Sequence, residues 1–312
     1  MRDVVIIGGG LSGLAAAREL QRLQIPYRLI EVKKRLGGSI VSEQRQGFTL
    51  DGGVFSFQRN QDWAFLKDLG LENVLCPAVD THRLDLVAFT KGSQMVIDAL
   101  AQGLTGTFIH RMAVSSIGTL DGKFTLCLEN GLMWEAAAVI LAAPARHTER
   151  MLRTVVPDFS QKLMDYSYDT ITRVSIGYKK ADMPVPPRFP MDVAIPFYSW
   201  TDDLSRVPAD HILLNVGVRM LPKAVKSEAV VQEVHREMKA SGQPVVSRVD
   251  YWEDADPLPP HLPDFEAKMS ALKALLPEGM GLAGSDYDGL DFAKRIAAGQ
   301  RAAQQVGAYL QP

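Results

Sequence analysis

Cysteine is scarce in this chain. Its two cysteines, Cys76 and Cys127, stand far apart and in no C-x-x-C pair, which leaves no support for a disulfide scaffold, a zinc site or dithiol redox chemistry. Long hydrophobic runs are missing as well: no stretch of about 18 consecutive apolar residues occurs, so a spanning helix is not expected. The amino terminus lacks a basic region leading into an apolar one, because glycines interrupt the first apolar run at Gly8, and a cytoplasmic protein is expected. Charge of one sign is not in excess. The 34 basic and 36 acidic residues are interspersed and leave a net charge of -2, which implies no broad basic surface for nucleic acid and makes a small molecule the expected substrate. Internal repeats and low-complexity tracts are absent. His82, His110, His147, His211 and His261 fall in no metal-ligand spacing, and nothing in the sequence speaks to oligomeric state.

What is present is enough apolar material for a large core. At 312 residues and 46% hydrophobic, the chain suits two domains, or one with a second inserted into it. Val4 to Ile7 reads as a strand buried on both faces, Leu11 to Leu23 as a helix and Tyr27 to Glu31 as a second strand, which is the size of one βαβ unit. A further buried strand is expected at Ala138 to Ala142, ended by Pro144. Phe124 to Leu128 and Gly131 to Ala136 suggest a hairpin turning at Glu129-Asn130-Gly131. Residues 183 to 200 carry five prolines and read as loops and edge strands. Val230 to Lys239 and Phe292 to Leu310 read as helices, and Val245 to Trp252 as a strand.

Gly8, Gly10 and Gly13 form G-x-G-x-x-G at the junction of the first strand and helix. The first glycine permits the tight turn, the second lets the backbone approach a pyrophosphate, and the third lets the helix pack on the strand. Free N–H groups at the helix start then face that phosphate. Glu31, 18 residues after Gly13, stands where a carboxylate accepts hydrogen bonds from a ribose and disfavours a 2′-phosphate, so FAD or NAD is expected rather than NADP.

The following stretch, EVKKRLGGSIVSEQRQGFTLDGG, resembles the flavin-containing amine oxidase and protoporphyrinogen oxidase superfamily. Arg35, Gly37 and Gly38 match its R-x-G-G segment, and Asp51, Gly52 and Gly53 its D-x-G-like turn. FTKGSQMVIDALAQGL is similar to its glycine-led helix, with Lys91 where glycine is usual, and RMAVSSI to the segment whose valine, here Val114, contacts adenine. VILAAPA is similar to the buried strand that ends beside the cofactor at Ala143. GLAGSDYDGLDFAKRIAAGQRAA resembles the carboxy-terminal flavin motif, through Gly284, Asp286, Gly289, Leu290 and Phe292. The resemblance implies non-covalent FAD, since no cysteine lies near that motif. The implied cofactor residues are Gly8, Gly10, Leu11, Ser12, Gly13, Glu31, Val32, Arg35, Gly37, Gly38, Gly52, Gly53, Val114, Ala143, Gly284, Ser285, Asp286, Leu290, Asp291 and Phe292.

The fold implied is α/β: a Rossmann-like FAD domain of the glutathione reductase type, from residues 1–60, 100–152 and 245–312. Into it an α+β substrate domain with a mixed or antiparallel sheet, 61–99 and 153–244, is inserted. The function implied is hydride transfer from a small organic substrate to flavin N5. Phe57, Arg173, Tyr198, Trp200 and Trp252 are candidate cavity residues, and no general base is assigned. Arg173 aligns where many relatives carry a lysine linked to oxygen reactivity, and Ser285 and Tyr287 flank Asp286 where amine oxidases have paired aromatics. The substrate stays open among amines, porphyrinogen-like or polyene compounds and reduced nicotinamides, the last as in renalase-like enzymes. A flavin-binding protein without turnover and an NAD-dependent dehydrogenase are the other readings.

Overall fold

The computed structural model of the chain describes residues 3–53, 55–58, 63–80, 86–183, 195, 197–219 and 226–311. They fall into two units, one of residues 1–38, 97–167 and 257–312 and one of residues 39–96 and 168–256. The observed borders lie at 38/39, 96/97, 167/168 and 256/257, beside expected borders at 60/61, 99/100, 152/153 and 244/245.

The first unit is built on a five-stranded parallel sheet in the order Met280–Leu282, Ala138–Leu141, Val4–Ile7, Tyr27–Glu31 and Thr107–His110. Val4 to Ile7 are all buried, as a central strand covered on both faces requires. Register pairs Ile7 with Ile30 and with Leu141, and Leu141 with Leu282, so the residues that follow emerge level at the carboxyl edge of the sheet. These are Gly8, Glu31, Ala142 and Ala283. In open parallel sheets this edge is where ligands bind.

The helices Leu11–Arg22 and Phe292–Leu310 pack against each other through small residues. A Cβ on Gly299 would lie 2.1 Å from the Ser12 carbonyl oxygen, so glycine alone permits this approach. A three-stranded antiparallel sheet, Val114–Leu120, Lys123–Leu128 and Met133–Ala136, adds Ile117, Phe124 and Leu126 to the core around Val139 and Leu141. Its hairpin turns where expected. Gly131 has φ +83°, and the Leu132 N–H donates to the Asn130 side chain.

The second unit carries a seven-stranded sheet ordered Val246–Pro257, Tyr168–Lys179, His211–Arg219, Phe197–Thr201, Leu75–Asp80, Leu86–Phe89 and Phe57–Gln58. Every pairing described in it is antiparallel. The expectation of loops and edge strands over 183 to 200 needs correction at its end: Phe197–Thr201 pairs on both sides and is an interior strand. The last proline stands at position 196, so each residue of the strand keeps an N–H for its neighbours. The rest of that stretch, 184–194 and 196, lies outside the described residues. Val230, Val234 and Met238 of the helix Ser227–Met238 recur at helical spacing and cover Val174, Ile176, Tyr178 and Val216.

The hairpin Ser42–Arg45 and Phe48–Asp51 turns at Gln46 and Gly47, both with positive φ. At its end sits a wholly buried ion pair, Asp51 with Arg206 at 2.7 Å, with side-chain exposures of 1% and 0%. Arg206 also donates to the carbonyls of Thr49 and Phe89 and lies over the Phe55 ring. Asp51 accepts from the Ser93 N–H and the Ser42 hydroxyl, which ties the hairpin to the start of the helix Gln94–Ala101. Among the described residues, no helix is long and apolar enough to cross a membrane.

Candidate functional site

The three glycines of the first turn differ in what surrounds them. A Cβ on Gly8, whose φ is +108°, would lie 2.5 Å from the Ala142 carbonyl oxygen, and one on Gly13 would lie 1.9 Å from the Gly8 carbonyl oxygen. Both glycines are demanded by the protein itself. Gly10 has extended backbone, and a Cβ there would meet no protein atom within 4 Å. Packing does not call for glycine at this position, whereas a close ligand would.

The helix Leu11–Arg22 begins at Gly10 with no side-chain cap and no acidic residue in its first turn. Its leading N–H groups therefore keep their partial positive charge. Leu11 and Ser12 are buried beneath it, and the Ser12 hydroxyl, in a residue 3% exposed, has no hydrogen-bond partner among the described residues. A buried hydroxyl left unpaired costs roughly 1–3 kcal/mol, which a bound acceptor would relieve.

Glu31 closes the turn from the side. One carboxylate oxygen accepts the Gly9 N–H at 2.7 Å and the other the Lys33 N–H at 2.8 Å, which fixes the carboxylate while each oxygen keeps a further lone pair. Val32, next in the chain, is 61% exposed. The Gly37 N–H donates to the Gly9 carbonyl at 2.7 Å, which lays the R-x-G-G segment on the glycine turn. Gly37 and Gly38 have φ of +101° and +62°, and a Cβ on Gly38 would meet Gly10 Cα at 3.5 Å. Arg35 donates to the carbonyls of Leu36 and Gly38, so its guanidinium braces its own loop. The Met112 N–H donates to the Glu31 main-chain carbonyl, which ties the segment leading into the strand of Val114 to the end of the strand Tyr27–Glu31. Val114 itself joins the core.

At the other side of the same sheet edge, Ala143 follows the strand Ala138–Leu141, and Gly284 follows Met280–Leu282 with φ +155°. A one-turn helix, Ser285–Asp288, comes next. The Asp286 carboxylate, in a residue 2% exposed, accepts from the Ala145 N–H at 2.8 Å and the Ser285 hydroxyl at 2.9 Å. Asp291 caps the final helix by accepting the Lys294 N–H at 3.0 Å. Leu290 and Asp291 line a cavity of about 390 Å³ with Pro260, Phe265 and Lys294. Phe292 is buried and turned into the protein, so its side chain serves packing. Burial holds the Arg295 guanidinium at about 10, below its ordinary range, against the opposing pull of Asp286 and Asp291.

The remaining expected residues belong to the second unit. A Cβ on Gly52 would meet Asp250 and Val41 side-chain atoms at 2.7 Å, and one on Gly53 would lie 2.6 Å from the Ser39 carbonyl oxygen, so packing within that unit calls for both glycines. Phe57 lies edge-on to Trp63 and Phe89. Arg173 is buried on the strand Tyr168–Lys179, and Tyr198 is a core residue with Trp200 packed against that core. Trp252 donates its Nε1–H to the Gly52 carbonyl at 2.6 Å.

One participant escaped sequence reasoning, and the role of another did. Tyr166 donates its hydroxyl to the Asp286 carbonyl at 2.6 Å, and nothing local marks it. Tyr287, half-visible through its place in the AGSDYDG segment, is buried and donates to the Ala143 carbonyl at 3.2 Å. Burial pushes both phenols well above their ordinary range, aided by the Asp286 charge.

A glycine turn on an uncapped helix, an orphaned buried hydroxyl and a fixed carboxylate together fit the diphosphate and ribose of a dinucleotide. Comparison with known proteins agrees. Residues 6–69 match the NAD(P)-binding Rossmann-like domain model, and residues 78–307 match that of the flavin containing amine oxidoreductases. The chain is 39% identical over 82 residues to coproporphyrinogen III oxidase of Bacillus subtilis (strain 168), a match covering 24% of this chain and 17% of that protein. Polyamine oxidase 5 of Oryza sativa subsp. japonica is 34% identical over 95 residues, covering 30% and 17%. These matches thus span about a sixth of each relative's length. Among solved structures, a candidate protoporphyrinogen oxidase from Exiguobacterium sp. 255-15 shares the fold with a TM-score of 0.75 at 15% identity, over 98% of this chain and 99% of that one. A redesigned double mutant of putrescine oxidase does so with a TM-score of 0.75 at 14% identity, over 98% and 99%. With more than two thirds of its length matched by the family model and the dinucleotide turn in place, the chain belongs to the flavin containing amine oxidoreductases, a family of FAD-dependent oxidoreductases, and its cofactor is FAD.

Proposed function

We propose that the protein oxidises a small organic substrate by hydride transfer to non-covalently held FAD. The observation that carries this reading is the orphaned Ser12 hydroxyl at an uncapped helix start, beside a Gly10 that protein packing does not require. When bound, FAD supplies the ring that takes up a hydride. The N–H groups of Leu11, Ser12 and Gly13 would hold the diphosphate, and the Ser12 hydroxyl would donate to one of its oxygens. Glu31 would accept from the ribose hydroxyls with the lone pairs left by Gly9 and Lys33. Val32 offers an apolar side chain beside that ribose.

For the substrate, the buried state of Tyr287 is informative. Its ring is enclosed and its hydroxyl is tied to Ala143, so it does not supply a wall of an aromatic amine cage, and Ser285 supplies none. Together with Arg173 in place of the lysine of many relatives, this favours a non-amine substrate and slow use of molecular oxygen. A porphyrinogen is the first candidate, a reduced nicotinamide the second. The test is anaerobic reduction of the bound flavin with a polyamine, coproporphyrinogen or NADH in turn. Bleaching by coproporphyrinogen alone is the expected result, and fast bleaching by the polyamine contradicts the reading. A flavin that no reductant bleaches would favour a binding protein without turnover.

A further inference from the structure

We propose that Asp286 is a positioning residue that clamps together the two turns Ala143–Ala145 and Gly284–Ser285, with Tyr166 and Tyr287 as its braces, and that it is not itself a cofactor ligand. The inference rests on the carboxyl edge of the first unit's sheet being the FAD site.

The clamp has two pins running in opposite directions. From the second turn, the Asp286 carboxylate accepts the Ala145 N–H at 2.8 Å. From the next residue, the Tyr287 hydroxyl donates to the Ala143 carbonyl at 3.2 Å, an oxygen also reached by the Thr148 hydroxyl at 3.3 Å. Residues 143 and 145 are thus pinned to 286 and 287. Tyr166 supplies a third pin by donating to the Asp286 main-chain carbonyl at 2.6 Å.

There is a physical need for this arrangement. The helix Ala145–Leu152 starts behind Pro144, whose side chain has no acceptor, so the helix has no cap of its own. Asp286 provides one from 141 residues away, and its charge suits the positive helix end. Its two oxygens accept from Ala145 and Ser285 and its side chain is buried, which holds the carboxylate on the two turns it joins. Burial and the Asp286 charge keep both phenols neutral donors. Arg295 and His147 also face the Asp286 charge, Arg295 from the final helix and His147 from the helix that Asp286 caps.

The experiment compares the unaltered holoprotein with Tyr287→Phe, Tyr166→Phe and Asp286→Asn. It reads the FAD dissociation constant, the visible spectrum of the bound flavin and the melting temperature of the flavin-free protein. Each tyrosine variant should raise the dissociation constant about 5-fold, the equivalent of one lost hydrogen bond. Each should also shift the flavin spectrum, which a purely structural loss would leave alone. Tyr287→Phe with Asp286→Asn should be less than additive, since the two pins secure the same pair of turns. If Asp286→Asn abolishes binding while both tyrosine variants match the unaltered protein in constant and spectrum, Asp286 is a direct ligand and the clamp is refuted. Failure of the unaltered protein to bind FAD would instead overturn the cofactor site itself. Should Asp286→Asn not fold, the tyrosine variants, which remove one hydroxyl each, still decide the matter.

Discussion

The two units handle a glycine turn in opposite ways. In the first, the turn Gly8 to Gly13 holds a Gly10 whose missing Cβ would face no protein atom, on a helix without a side-chain cap, over a hydroxyl with no partner among the described residues. In the second, the turn Asp51-Gly52-Gly53 is filled: Arg206 and Ser93 engage Asp51, and the missing Cβ atoms of both glycines face protein atoms. The difference teaches that a glycine motif is read by what stands opposite the absent side chain. Where protein stands there, the glycine serves packing; Gly10, with extended backbone and open space at the end of a strand, is left for a ligand.

The largest way to break the comparison is in the closed turn. Arg206→Met leaves Asp51 buried without its cation, and such a loss costs about 3–5 kcal/mol. Urea denaturation should show this destabilisation. Next comes Gly13→Ala in the open turn, where the new Cβ collides with the Gly8 carbonyl and forces the backbone apart at a cost of about 1–3 kcal/mol. It should lower the melting temperature even with no FAD present. Glu31→Gln removes a charge-assisted contact to the ribose and should weaken FAD binding by about 1.5–3 kcal/mol in a calorimetric titration. The smallest effect carries the sharpest sign. Ser12→Ala deletes an unpaired buried hydroxyl, so the flavin-free protein should melt at the same temperature or higher, while FAD binding weakens by about 0.5–1.5 kcal/mol. A flavin-free protein that melts lower would show the hydroxyl to be paired within the protein.

Much of the first unit was legible because its signals are local. Val4 to Ile7, the helix after it, Glu31 at a strand end and the helix Phe292 to Leu310 all follow from spacing and composition within short windows. The second unit resisted because its decisive contacts are distant. Arg206 sits in DDLSRVPAD, which reads as an exposed polar turn, and only the folded chain carries it to Asp51. The interior strand Phe197–Thr201 was hidden by the prolines before it, whose influence ends where the strand begins. Asp286 was visible as part of a motif, but its partner Ala145 lies 141 residues away, beyond any periodicity. Arg35 illustrates a different limit. The family resemblance singled out the residue, while its guanidinium turned to carbonyls one and three residues on.

The most direct test of the open turn is an FAD titration of Gly10→Ala beside the unaltered protein. Gly10 has negative φ and a Cβ there would meet no protein atom within 4 Å, so alanine is accommodated and the flavin-free melting temperature should not change. The account predicts that FAD affinity nonetheless falls at least 10-fold, a loss of about 1.4 kcal/mol or more. Equal affinity in the two proteins would contradict it, because the diphosphate would then not lie against Gly10.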